Sequence, residues 1–166
     1  AEIVRDVNKY SNNVMARQLY LTLATSGNEP PARPEQAQEV VRHWLNLKGI
    51  AAPELSIENG SGLSRTDRIS AGSLAALLHA AWRSAAMPEF IASLPLAALD
   101  GTMRKRLIDE PVAGQAHMKT GLLSNVRSMA GYVLDRSGRR RIVVMLINHP
   151  NAPDAEGAAD ALLRWV

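Results

Sequence analysis

The chain has 166 residues, a formal net charge of +3, 46% hydrophobic residues and no cysteine. This length and composition support a sizeable core and exclude disorder, while the lack of cysteine excludes disulfides and thiolate metal sites. The longest aliphatic run, residues 142–147, is far too short for a membrane span. We therefore expect one globular domain over residues 1–166 without a transmembrane segment.

The basic residues form two short clusters, at 104–106 and 139–141. The second cluster follows Ser137-Gly138, a pair typical of a hairpin tip, so a solvated turn accounts for it. One Phe, three Tyr and three Trp are present, and none alternates with the basic clusters, so nucleic acid is not an expected partner. The four histidines lie far apart without ligand-like spacing, and no metal site is predicted.

Apolar residues recur at helical spacing in two successive stripes over residues 3–23, which predicts two helices. Between the stripes, residues 11–13 are polar and of the kind that caps helices. We place a break there, with Ser11 or Asn12 beginning a second helix that ends near Gly27.

Prolines punctuate the next part of the chain. Pro30 and Pro31 predict a loop, after which Pro34 opens a helix that stops at Gly49. The first third of the chain is therefore predicted to be mostly helical.

Residues 55–57 alternate like a short strand and lead into a polar loop, 58–65, whose two glycines predict positive φ values. This loop is long and polar enough for a functional role, and a structural Ω-loop is the alternative. Ser70 caps the next predicted helix, which Pro88 ends or follows.

The end of the chain is predicted to form an antiparallel meander and a final helix. Short helical turns near 89–93 and 102–107 precede three strands at 116–120, 127–135 and 141–148. The aliphatic run of the third strand predicts burial on both faces. A helix after Pro153 would then lie across one face of the sheet.

Lys119-Thr120-Gly121, on the first predicted strand, is a candidate site for an anionic group. An ammonium supplies charge, a hydroxyl supplies a hydrogen bond, and glycine permits close approach of another backbone. A strand start with a glycine kink is the alternative interpretation.

A second motif supports the site: Ser11-x-Asn13 begins the second helix, about a hundred residues before Lys-Thr-Gly. This order resembles that of the penicillin-recognising serine enzymes. The chain resembles in particular the D-alanyl-D-alanine carboxypeptidase/endopeptidase family, the class C low-molecular-mass penicillin-binding proteins, in residues 9–13, 59–65, 100–104, 117–121 and 130–132. The resemblance covers nearly all of the chain. It implies an α+β (α/β) fold, part of a β-lactamase/transpeptidase-like domain.

The chain departs from this family in two ways. The family nucleophile lies in a Ser-x-x-Lys motif, and no lysine of this chain follows a serine at that spacing. The resemblance therefore implies that residues 1–166 are the C-terminal part of one domain, inactive alone, which packs against an N-terminal part or exposes an apolar sheet edge. The second departure is Leu122, which stands where many relatives carry Thr or Ser. Leucine lacks their side-chain hydroxyl, but its backbone N–H is still available as a donor to the oxyanion.

The resemblance implies a role for each motif residue. Ser11 would pass a proton to the leaving amine, and Asn13 would donate to the substrate's amide carbonyl. Lys119 would supply the field around Ser11 and the substrate carboxylate, which Thr120 would bind. Gly121 would let an extended peptide lie along the strand edge.

The implied reaction is serine attack on the D-Ala-D-Ala bond of peptidoglycan peptides, release of D-alanine and hydrolysis of the acyl-enzyme. β-Lactams would acylate the same serine, no metal or organic cofactor is required, and the location would be periplasmic or extracytoplasmic. Two alternatives stay open. One is a β-lactamase or esterase on the same fold, and the other is a non-catalytic peptidoglycan-binding or interaction module that keeps Ser11 and Lys119. Carboxypeptidase or endopeptidase preference also stays open.

Overall fold

The computed structural model describes residues 1–26 and 32–166. These residues form six α-helices and three strands: α1 Glu2–Tyr10, α2 Asn13–Leu23, α3 Pro34–Leu47, α4 Ala71–Trp82, α5 Met87–Ser93, β1 Ala116–Leu123, β2 Val126–Leu134, β3 Arg140–Asn148 and α6 Glu156–Trp165. Over the described ranges, every helix is too short or too polar to cross a membrane. The predicted helix end near Gly27 and the loop prolines Pro30 and Pro31 lie outside the described residues.

The chain divides into two compact units. A sheet unit contains Ala1–Ser11 and Ala81–Val166, and a helical unit contains Asn12–Ala80. Both units carry residues of the predicted motifs.

The sheet unit contains the predicted antiparallel meander, in the order β1-β2-β3. One face packs against α6, where Ala159 and Leu163 join Met118, Met129 and Val133 in one buried cluster. This confirms the predicted helix across one face of the sheet.

The opposite face of the sheet carries Tyr132, which is fully buried. The Tyr132 ring lies 5.5 Å from that of Trp82 and 6.4 Å from that of Phe90, between ring centroids. Side chains on both faces of β2 therefore hold the sheet in place.

β3 is less buried than its sequence predicts. Only Val143 is buried in this strand, and the other aliphatic residues are partly exposed. Within the described sheet β3 pairs with β2 alone, so one of its edges faces away from the sheet. The prediction of burial on both faces is wrong for this chain by itself.

The hairpin tip between β2 and β3 agrees with its prediction. The Asp135 carboxylate accepts hydrogen bonds from the Arg139 amide (2.9 Å) and from Arg141 Nε (2.8 Å). Gly138 adopts a φ of 75°, which favours glycine. Asp135 thus pairs with Arg139 and Arg141, two of the three arginines of this basic cluster.

The helical unit confirms the predicted caps. Asn12 rather than Ser11 caps α2, because its side chain accepts from the Met15 amide at 3.0 Å. Ser70 caps α4 by accepting from the Ser73 amide at 3.1 Å. In the sheet unit, Pro88 lies in the first turn of α5 and so follows α4 without ending it.

The predicted strand at 55–57 is only an isolated bridge between Ser56 and Arg68. A longer ladder would continue at the pairs 58/66 and 54/70, because alternate residues of a strand face the same edge. The Glu58 amide instead donates to Asp67 Oδ1, and the Ser70 amide donates to Glu54 Oε1, each at 2.8 Å. These side chains therefore end the ladder after one bridge. Between 102 and 107, the predicted helical turn is a 3-10 helix at Gly101–Met103.

Candidate active site

The centre of the candidate site is a contact between two residues 108 positions apart. Lys119 Nζ lies 2.9 Å from Ser11 Oγ, and it also donates to the Thr120 carbonyl at 2.8 Å. An ammonium can only donate, so the Ser11 oxygen accepts and its own O–H is directed elsewhere. The sheet unit thus brings Ser11 of one motif next to Lys119 of the other.

Burial changes the chemistry of this lysine. Desolvation lowers the pKa of Lys119 from its ordinary value, because a buried ammonium loses hydration. A lowered pKa means that the ammonium gives up its proton at a smaller free-energy cost than an exposed lysine. The Ser11–Lys119 pair is therefore suited to relay a proton.

Ser11 is held in an unusual backbone conformation. It ends α1 with φ 52° and ψ 48°, in the left-handed region, and its amide donates to the Val7 carbonyl. Such a conformation costs a non-glycine residue about 1–3 kcal/mol and persists only where the surroundings impose it. The turn therefore fixes the position of the Ser11 backbone, from which the side chain extends.

The outer edge of β1 is covered over only half its length. The Met118 amide donates to the Pro95 carbonyl at 2.8 Å, and the Ala97 amide donates to the Ala116 carbonyl at 2.9 Å. In the described residues this pairing ends at Met118. Amides four positions apart in a strand point the same way, so the Leu122 amide also faces the outer edge. That edge is where an extended peptide would add.

Gly121 lies directly opposite Ser128 on β2. A Cβ at position 121 would overlap the Ser128 hydroxyl in its present rotamer, so an alanine there needs that hydroxyl to rotate away. Strand packing therefore favours glycine here independently of any substrate.

Thr120 contacts a residue that sequence analysis did not single out. Its hydroxyl lies 2.9 Å from the hydroxyl of Thr102 in the 3-10 helix. Thr102 follows shortly after residues 95–97, the segment whose backbone pairs with the first half of β1. The only sequence signal was its place in the family-like segment 100–104.

Asn13 lies in the first turn of α2, in the helical unit. Its Nδ2 donates to the Ser61 carbonyl at 2.6 Å. Gly60 and Gly62 bend the loop around Ser61 with φ values of 70° and 78°, as predicted. Because an amide group has two N–H donors, this contact orients the side chain and commits only one of them.

The fold matches that of a penicillin-binding protein, penicillin binding protein 4 of Haemophilus influenzae, with a TM-score of 0.86 over 98% of this chain and 39% of that one. The chain belongs to the D-Ala-D-Ala carboxypeptidase 3 (S13) family, whose family model matches residues 1–166. The resemblance inferred from the motifs is therefore confirmed, and so is the α+β fold.

Curated relatives agree with this assignment. The chain is 32% identical to carboxypeptidase DacB of Mycolicibacterium smegmatis, over 97% of the chain and 36% of the relative. It is 26% identical to D-alanyl-D-alanine carboxypeptidase DacB of Haemophilus influenzae, over 93% of the chain and 33% of the relative. The chain thus spans about a third of the length of the relatives it matches.

Among solved structures, penicillin binding protein 4 of Haemophilus influenzae in complex with a β-lactam has a TM-score of 0.87 and 25% identity, covering 98% of this chain and 39% of that one. A predatory endopeptidase from Bdellovibrio bacteriovorus has a TM-score of 0.71 at 17% identity, a likeness of fold alone, covering 97% of this chain and 40% of that one.

Proposed function

We propose that the protein carrying this chain is a serine-type D-Ala-D-Ala carboxypeptidase that acts on peptidoglycan stem peptides by acyl transfer and is inhibited by β-lactams. The observation that carries the proposal is the 2.9 Å contact between Lys119 and Ser11 in a chain of this family. Partial burial of this lysine penalises its charge, so its contact with a serine hydroxyl favours a chemical role over a stabilising one.

Ser11 is the proton carrier in this proposal. Lys119 donates to the Ser11 oxygen, so the Ser11 hydroxyl can donate to the amine that leaves when the peptide bond breaks. The attacking serine comes from a Ser-x-x-Lys segment outside these 166 residues. Water then attacks the acyl-enzyme and releases the shortened peptide.

The β1 edge holds the substrate in this proposal. Thr120 binds the terminal carboxylate together with the charge of Lys119, and the peptide lies along the strand at Gly121. The Leu122 amide is one oxyanion donor, because an N–H at a strand edge points toward an added strand. Asn13 donates its second N–H to the amide carbonyl.

The rest of the domain covers β3. A cavity of about 670 Å³ next to this strand is lined by six apolar residues, among them Ile142, Val144 and Leu162, and by five polar residues at the β2–β3 hairpin tip. Trp165 beside it is 82% exposed. Apolar surface of this kind favours a covering segment, so we assign residues 1–166 to one transpeptidase-like domain whose N-terminal part packs here. Peptidoglycan as substrate places the protein in the periplasm or another extracytoplasmic space.

Intact-mass spectrometry with benzylpenicillin tests the proposal. The complete gene product that contains this chain should gain one penicillin mass, while residues 1–166 alone should gain none. An adduct on the isolated chain, or none on the complete product, would contradict the proposal. Rapid turnover of the adduct would instead indicate a β-lactamase.

Two serine variants distinguish loss of the Ser11 proton carrier from a general loss of structure. Ser11→Ala should slow acylation and D-alanine release by roughly 10²–10⁴-fold, the usual contribution of a positioned proton donor. Ser84→Ala is the matched control, because Ser84 is exposed and only donates to the Ala81 carbonyl. Equal losses in both variants would remove Ser11 from the mechanism.

A further inference from the structure

Three consecutive residues, Asp100, Gly101 and Thr102, lie between the two motifs in the sheet unit. None has a role in the reaction proposed above. Asp100 and Gly101 each contact the segment that leads to Ser11, and Thr102 contacts Thr120.

Asp100 attaches the end of α1 to the loop that borders β1. Lys9, two residues before Ser11, donates to Asp100 Oδ2 and to the Leu94 carbonyl, both at 2.6 Å. The Lys9 side chain is only 12% exposed, whereas that of Asp100 is 44% exposed, so the lysine end of this ion pair is shielded from water and the carboxylate end is partly hydrated. The other Asp100 oxygen accepts from the Leu96 amide at 2.8 Å.

Gly101 allows this attachment to be close. It adopts a φ of 54°, and a Cβ built there would lie 2.6 Å from the Lys9 carbonyl oxygen. Both the φ value and the space require glycine. Thr102 is therefore placed by the same contacts that fix the turn carrying Ser11.

A bound carboxylate fixes which hydroxyl donates in the Thr102–Thr120 hydrogen bond. Either hydroxyl can donate across their 2.9 Å separation in the free protein. A carboxylate only accepts, so Thr120 must donate to it. Thr120 then receives its own hydrogen bond from Thr102, and such a chain of hydroxyls strengthens the outer bond.

We propose that Thr102 is a positioning residue for carboxylate recognition: it donates to the Thr120 hydroxyl and turns the Thr120 proton toward the terminal carboxylate of the substrate. This inference rests on the proposed function, in which Thr120 binds that carboxylate. Thr102 itself does not touch the substrate. Its effect is on selectivity for an acid over a neutral analogue.

The test compares Thr102→Val, which keeps the shape and removes the hydroxyl, with Thr102→Ser, which keeps the hydroxyl. In the complete gene product, the acylation rates for benzylpenicillin and its methyl ester are measured for each. Thr102→Val should lower the acid-to-ester ratio about fivefold, the scale of one neutral hydrogen bond. Thr102→Ser and the exposed control Thr22→Val should keep the wild-type ratio.

A general loss of structure would lower both rates together and leave the ratio unchanged, which would overturn the proposal. A fall of the acid-to-ester ratio in Thr102→Ser as large as that in Thr102→Val would also overturn the proposal. If the wild-type protein forms no penicillin adduct, the proposed function fails, but the pair is still tested. The dissociation constants of a D-Ala-D-Ala peptide and of its C-terminal amide are then measured by NMR. The ratio of the amide constant to the acid constant should be about fivefold smaller in Thr102→Val than in wild type. An unchanged difference would overturn the proposal.

Discussion

The glycine of the Lys-Thr-Gly motif has a structural explanation that a double-mutant cycle can test. An ideal Cβ on Gly121 would overlap the Ser128 hydroxyl, yet it would lie at an ordinary 3.7 Å from Ser128 Cβ. The obstacle is therefore a single oxygen atom. Gly121→Ala should be unfavourable with Ser128 present and acceptable in a Ser128→Ala background.

The magnitudes follow from two opposing effects. Forcing the Ser128 hydroxyl away costs roughly 1–2 kcal/mol, at the lower end of overpacking costs because a hydroxyl can rotate. Replacing a strand glycine by alanine returns about 0.5–1 kcal/mol of backbone entropy. Gly121→Ala should thus destabilise by about 0.5–1 kcal/mol alone and stabilise by about as much with Ser128→Ala. The coupling energy is about 1–2 kcal/mol.

Hydrogen exchange of the β1 and β2 amides is the assay, because it measures the local free energy of opening of this sheet. The four proteins of the cycle are wild type, both single variants and the double variant. Equal effects of Gly121→Ala in the two backgrounds would refute the steric explanation. Penicillin acylation of the double variant then adds a functional result. Restored stability with poor acylation would show that the glycine also serves the substrate.

Three further predictions concern ionisable groups. Burial lowers the pKa of Lys119, so stability should rise with pH between that lowered pKa and the ordinary lysine value of 10.5. Lys119→Met should remove this rise and abolish acylation. Hydrogen bonds from the Ser137 hydroxyl and the Arg139 amide hold the pKa of Asp135 well below its usual range. Asp135→Asn should therefore lower stability at neutral pH, and its difference from wild type should shrink as pH falls below the ordinary aspartate value of 3.8. Arg106 and Asp160 form an ion pair with side chains 12% and 15% exposed, so Asp160→Asn should destabilise by about 3 kcal/mol.

Each of these predictions has its own measurement. Denaturant unfolding at a series of pH values checks the lysine and aspartate variants. A stability profile of Lys119→Met parallel to that of wild type, or a cost of Asp135→Asn that persists in acid, would contradict the assignments. For the ion pair, the control is the double variant Arg106→Met/Asp160→Leu, which should recover most of the stability. A free energy of unfolding of the double variant as low as that of Asp160→Asn would contradict this explanation of the ion pair.

Local sequence was enough to predict most helices, strands and turns. Asn12 and Ser70 cap helices because their short polar side chains reach free amides one turn ahead, and this depends on neighbours in sequence alone. The meander was predicted for the same reason, since alternation and turn residues are local signals. The motif order also identified the family, as the match over residues 1–166 confirms.

Two errors arose where distant residues decide. The aliphatic run of β3 predicts burial, but burial depends on which elements lie beside the strand, and among the described residues only β2 pairs with it. At 55–57 the residues alternate as in a strand, yet the Glu58 and Ser70 amides that a longer ladder would need donate to the side chains of Asp67 and Glu54.

Local residue patterns are enough to define most of the helices, the meander, the family and the residues that carry the motifs. The contacts of Lys119 with Ser11, of Gly121 with Ser128 and of Thr102 with Thr120 arise only in the folded chain. Each of these contacts joins residues on different elements. Their distances depend on strand register and loop paths, which arise from packing of the whole unit and leave no periodic signal in the chain.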